Sequence, residues 1–154
     1  VEPEHLHVTL KFLDEITEEQ RGRVEALLRQ VAGGEPAFTL AMEGAGAFPS
    51  VNAPRVLWVG LRQGRETVVR IAQAIEQECQ AIGLRREERP FSAHVTLGRV
   101  RSPKRQDELV KRLQTAAWEP PDPFQVTALT LYRSDLHPSG PRYTVLAEIP
   151  LTPR

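Results

Sequence analysis

Cysteine and methionine each occur once in 154 residues, tryptophan and tyrosine twice, and histidine four times. The lone Cys79 cannot close an intramolecular disulfide. Its place in a helical pattern reads as a buried thiol, so a reducing, cytoplasmic setting is expected. Charge of one sign is in no excess, since 20 basic residues balance 20 acidic ones. That excludes a protein that coats nucleic acid by bulk electrostatics, whose footprint is a basic surplus over the whole domain. A small polyanion held in a local site stays compatible with neutrality. No apolar run approaches the roughly 20 residues of a membrane span, and no membrane role is expected. Low-complexity segments and linkers are absent too.

What is present is ordinary for a soluble chain: 40% hydrophobic and 26% charged residues. The length suits a single domain over residues 1–154, with one sizeable core. The chain opens on Val1 rather than Met, and an element preceding it is expected to be absent.

Strand and helix patterns alternate, which points to an α+β fold. HLHVTLKFL alternates as a strand, with Val8, Leu10 and Phe12 on one face and His7, Thr9 and Lys11 on the other. Thr17-Glu18-Glu19-Gln20 is a capping box. The helix it opens carries Val24, Leu27, Leu28 and Val31 as its apolar stripe and ends at Gly33-Gly34. Strands follow at 37–43 and 55–61, joined by GAGAFPSVNAP, which reads as turn chemistry. A second helix is predicted over 65–82, with Val68, Ile71, Ala72, Ile75 and Cys79 on its buried side and Gly83 as its stop. After a polar loop comes a second HVTL strand. Ser102-Pro103 predicts the start of a third helix running to about Ala117. Strands near 124–133 and 142–149 close the chain, joined by a loop with Ser134, Asp135, Pro138 and Gly140.

The four letters HVTL occur at residues 7–10 and again at 94–97, within AHVTLGR at 93–99. Each opens a strand–helix–strand–strand unit, about 5–61 and 92–149, so the chain reads as an internal duplication. Residues two apart on a strand point the same way, roughly 7 Å apart. His-x-Thr therefore presents an imidazole beside a hydroxyl. If the two strands pack as pseudo-symmetric partners, the cleft between them holds His7, His94, Thr9 and Thr96. Imidazole titrates near neutrality, so one ring can be protonated while its twin is neutral. In-line displacement at phosphorus needs that pairing: one group takes a proton from water and the other gives one to the leaving oxygen. The hydroxyls can donate to the non-bridging oxygens.

HLHVTLKFL and FSAHVTLGR resemble the paired motifs of the 2H phosphoesterase superfamily, in particular its RNA 2′,3′-cyclic phosphodiesterase (2′-5′ RNA ligase-like) branch. GAGAFPS, PRVLWVGL and LYRSDLHPSGPRYTVL are similar to that branch as well, so the likeness covers most of the chain. The resemblance implies two pseudo-symmetric lobes, each an antiparallel sheet with helices packed outside, and an active-site cleft between them. The family's N-terminal strand and helix are expected to be absent. It further implies that His7 is the proton donor, His94 the proton acceptor and Thr9 and Thr96 the phosphate-binding hydroxyls. Hydrolysis of an RNA 2′,3′-cyclic end to a 2′-phosphomonoester would follow, without metal or cofactor, and with reversible 2′-5′ ligation as a companion reaction.

Strand parity puts Lys11 on the His7–Thr9 face, as a candidate phosphate or RNA contact. Arg99 follows the second motif as in relatives, but parity turns it away from His94 unless a bulge at Gly98 brings it back. His5 shares the His7 face; its counterpart in the second unit is Ser92, which favours His7 as the functional ring. His137, in a Pro/Gly loop, reads as surface. Phe48, Trp58, Phe91 and Tyr143 read mainly as core, with stacking of one of them on a base left open. The expected partners are RNA ends or small 2′,3′-cyclic nucleotides, met by a monomer. Two other classes stay open at this point: a non-catalytic RNA-end or phosphate-binding module, and a metal-dependent hydrolase built on His5, His7 and His94.

Overall fold

A computed structural model describes residues 5–102, 104–115 and 119–153. In chain order the elements are α1 (Glu18–Gly33), β1 (Phe38–Pro49), β2 (Pro54–Gln63), α2 (Arg65–Ala81), β3 (His94–Arg99), α3 (Gln106–Thr115), β4 (Phe124–Val126), β5 (Ala128–His137) and β6 (Gly140–Pro150). The fold is α+β, with antiparallel pairing throughout its two sheets. The larger has the order β3-β2-β1-β4, and β5-β6 forms the second.

Helix α1 begins where local chemistry satisfies its first amides. The Gln20 amide donates to Thr17 Oγ1 at 3.1 Å, and the Thr17 amide donates to Gln20 Oε1 at 2.8 Å. Val24, Leu27, Leu28 and Ala32 form its buried stripe. Helix α2 buries Val68, Ile71, Ala72, Ile75 and Cys79, the five residues the 3.6-residue period picks out. It starts at Gly64, whose φ of 82° and closeness to the Thr39 carbonyl leave no room for a side chain. Helix α1 packs on the β5-β6 sheet and α2 packs against α1, and Leu129, Leu131, Ile149 and Leu151 complete that core. A smaller cluster of Leu40, Leu61 and Val68 joins α2 to the larger sheet. Burial pushes the Cys79 thiol pKa up.

The structure corrects several expected boundaries. HLHVTLKFL forms no ladder, only an isolated antiparallel bridge between Val8 and Val95. The alternation fails after Leu10: Leu10, Leu13 and Ile16 turn to the core, whereas Phe12 is 68% exposed. GAGAFP continues β1 rather than turning. Gly44, at φ 72°, is the extra residue of a bulge between the Glu43–Gly60 and Ala45–Val59 pairs. Gly46 accepts the Trp58 ring, and the turn shrinks to residues 50–53. The strand expected at 124–133 breaks at Thr127 into β4, paired with β1, and β5, paired with β6. Ser134 and Asp135, expected in a loop, are strand residues opposite Tyr143 and Arg142. Helix α3 starts at Gln106, and Ser102 Oγ accepts the Lys104 amide. Pro103 and Ala117, its expected first and last residues, lie outside the described residues.

Candidate active site

The second motif lies on β3, against β2: His94 faces Gly60, Val95 faces Val59 and Thr96 faces Trp58. The first motif meets it through the Val8–Val95 bridge. Side chains alternate along extended backbone, and directly opposed residues share a side. The antiparallel bridge therefore brings His7 and Thr9 to the same side of the paired segments as His94 and Thr96. Adjacent strands are about 4.8 Å apart, so the two His-x-Thr pairs form one compact group.

Each ring is held in the same way. His7 Nδ1 donates to the His5 carbonyl at 2.6 Å, and His94 Nδ1 donates to the Ser92 carbonyl at 2.8 Å. A carbonyl can only accept, so Nδ1 carries the proton in both rings and Nε2 is left for chemistry. The contribution of position 5 to this arrangement is its carbonyl, and Ser92 supplies the same group beside the second motif. Neither threonine hydroxyl makes a hydrogen bond among the described residues.

Both rings also sit beside a pair of aromatics. His7 lies 5.5 Å from Tyr143 and 6.5 Å from Tyr132, centroid to centroid, and the tyrosines are 6.0 Å apart. His94 lies 5.1 Å from Phe48 and 6.5 Å from Trp58, and those two are 5.3 Å apart. Phe48 pairs with Val56, two residues before Trp58; Tyr132 pairs with Val145, two residues after Tyr143. Each hairpin thus presents a diagonal aromatic pair on one face. Phe48, Trp58 and Tyr143 are site neighbours rather than plain core. Tyr132, 47% exposed, was missed by sequence reasoning; period-two counting back from the turn at 138–139 would have put it on the face of Tyr143.

Arg99 returns to the histidine side. On β2, Val56, Trp58 and Gly60 share a face; their partners on β3 are Arg99, Thr96 and His94. Opposite the adjacent Leu57 and Trp58 stand Gly98 and Thr96, so β3 carries one residue more, and this bulge resets the parity. Arg99 is exposed there. Lys11 goes elsewhere. Its ammonium pairs with Glu76 on α2 and donates to the Arg85 carbonyl at 3.1 Å, and its side chain is 5% exposed. The expectation that it serves the His7–Thr9 face fails because its ammonium is engaged by Glu76 and the Arg85 carbonyl, away from the histidines. His5 packs its ring on Tyr143 at 5.5 Å, and His137 is exposed at the end of β5. Among the described residues, no three His, Cys, Asp or Glu side chains gather closely enough to hold a metal ion, and no helix is long and apolar enough to cross a membrane.

A two-histidine cluster of this form on paired antiparallel sheets has clear relatives. The profile of the 2′-5′ RNA ligase superfamily matches residues 1–138, and the chain belongs to that family. An RNA 2′,3′-cyclic phosphodiesterase of Archaeoglobus fulgidus is 37% identical over 143 residues, 93% of this chain and 78% of the relative. The crystal structure of TT0787 of Thermus thermophilus superposes with a TM-score of 0.80 at 30% identity, covering 100% of this chain and 82% of that one. Escherichia coli LigT complexed with 3′-AMP gives 0.77 at 30% identity, covering 99% and 80%.

Proposed function

We propose that the protein is an RNA 2′,3′-cyclic phosphodiesterase working by two-histidine acid–base chemistry. Water attacks phosphorus while His94 Nε2 takes its proton. The bond from phosphorus to the ribose 3′ oxygen breaks, and His7 Nε2–H protonates that oxygen, leaving a 2′-phosphomonoester. One turnover exchanges the protonation states of the two rings, and solvent restores them. Thr9 and Thr96 donate to the non-bridging oxygens, and Arg99 balances the phosphate charge. A ribose hydroxyl in place of water would give a 2′-5′ linkage by the same ring opening. We read the chain as one domain of two matched units, acting in the cytoplasm on RNA ends or cyclic nucleotides.

The observation that carries this reading is the Val8–Val95 bridge, which gathers both His-x-Thr pairs on one side while matched Nδ1 bonds leave both Nε2 atoms for substrate. The relatives' names and the nucleotide in the LigT complex support the substrate class. RNA ending in a 2′,3′-cyclic phosphate, incubated with the protein in EDTA, should yield a 2′-phosphate. A 3′-phosphate product would reverse the roles of the oxygens, and binding without turnover would replace the enzyme with an RNA-end-binding module. Turnover abolished by EDTA and restored by a divalent cation would favour the metal-dependent reading.

A further inference from the structure

The segment that carries His7 has no ladder of its own beyond the Val8–Val95 bridge, and the segment that leads into the His94 strand has none. Residues 9–17 form no strand, and residues 84–93, which lead into β3, form none either. One carboxylate reaches both. Glu76 pairs through Oε2 with Lys11, two residues beyond Thr9. Its Oε1 accepts the Glu87 backbone amide at 2.9 Å and the Gln80 side-chain amide at 3.3 Å. Lys11 completes the loop by donating to the Arg85 carbonyl. The post that carries Glu76 is firm, since Ile71, Ile75 and Cys79 on the same helix are buried in the main core. Its pairing with Lys11 is shielded, with the lysine side chain almost wholly covered.

We propose that Glu76 and Lys11 are a positioning pair that sets the distance between the two histidines, by tying the backbone after the first motif to the backbone before the second. Neither side chain touches the reacting atoms. Their leverage comes from the demand that both Nε2 atoms address one phosphorus, where a misplacement of 1 Å can cost about a hundredfold in rate. This inference rests on the two-histidine reading given under Proposed function. It adds that α2, which carries no residue of the site, determines how well the site is assembled.

The test uses Glu76→Ala, Glu76→Gln, Lys11→Met and the Glu76→Ala/Lys11→Met double variant on RNA with a cyclic end. Glu76→Ala and Lys11→Met should each lower kcat by about 10- to 100-fold with KM within about threefold of the parent, because each His-x-Thr pair still binds phosphate by itself. Glu76→Gln, which keeps an acceptor for Lys11 and Glu87, should recover part of the loss. The double variant should be no worse than the weaker single one, as for groups that act as a unit. Ring C–H resonances of His7 and His94 should move in Glu76→Ala while those of His137 stay. Unchanged kcat, additive losses, or losses that track only the folded fraction with both ring signals fixed would overturn the proposal. The ring signals decide the matter even if the parent protein fails to hydrolyse cyclic ends, so failure of the activity and failure of the positioning pair are separable.

Discussion

At the scale of single residues, the site depends on two protons held at Nδ1. With each Nδ1 committed to a carbonyl two residues back, Nε2 is the one ring nitrogen each imidazole has left to offer a substrate. His7→Ala and His94→Ala should each lower kcat by about 10²–10⁴-fold on a cyclic-end substrate, the usual loss for a general acid or base. His5→Ala should retain most activity, since the bond to His7 uses the backbone of residue 5. The parent's pH–rate profile should be bell-shaped and report the coupled pair; a rate flat across neutral pH would contradict the assignment. Gly46 is a residue-scale constraint of another kind. A Cβ there would overlap the Trp58 ring, which packs against Phe48 and His94. Gly46→Ala should cost about 1–3 kcal/mol by overpacking, read from the urea midpoint, and should disturb the His94 side of the site more than the His7 side.

At the scale of elements, the legible parts of the sequence were those governed by period and by caps. The capping box at Thr17 and the five-residue face of α2 follow from spacing alone, because helix geometry repeats whatever surrounds it. What could not be read were the places where tertiary contact decides. GAGAFP has turn letters, yet Gly44 serves as a bulge and Gly46 as clearance for an indole, so β1 runs on through both. Lys11 obeys strand parity on paper, but its segment makes one bridge and then bends to the core. The β3 bulge was expected at Gly98, but pairing register places the extra residue at Leu97, beside that glycine, with Gly98 itself opposite Leu57. Arg99→Ala should raise KM for the cyclic substrate by about tenfold or more, the loss expected for a charge-assisted hydrogen bond worth about 1.5–3 kcal/mol, with a smaller change in kcat. Steady-state kinetics separate the two constants.

At the scale of the whole molecule, ion pairs far apart in sequence link pieces that the two sheets do not. Glu35, just after α1, meets Arg70 on α2 through two contacts of 2.8 and 2.9 Å, and those bonds hold its carboxyl below the ordinary value of 4.5. At Glu76, burial pushes the carboxyl up, but hydrogen bonds from Lys11, the Glu87 amide and Gln80 outweigh it and the net shift is downward. A carboxyl whose folded pKa is lowered contributes stability that is present above its unfolded pKa and is lost as pH falls through the folded value. The melting temperature should therefore carry their full contribution and be independent of pH through these groups near neutrality, and should fall below about pH 4.5. Glu35→Gln and Glu76→Gln should each flatten that acid limb in a pH series of melting curves. Such pairs were not legible in sequence, since Glu35 and Arg70 are brought together only by the packing of α1 on α2.

The strand bearing His94 is laid against the hairpin from the early half of the chain, and the ring of His7 rests on tyrosines from the late half. Each half therefore furnishes the surroundings of the other's histidine. Neither half, taken alone, holds the aromatic neighbours of its own imidazole. The chain is built like two people each holding the other's coat.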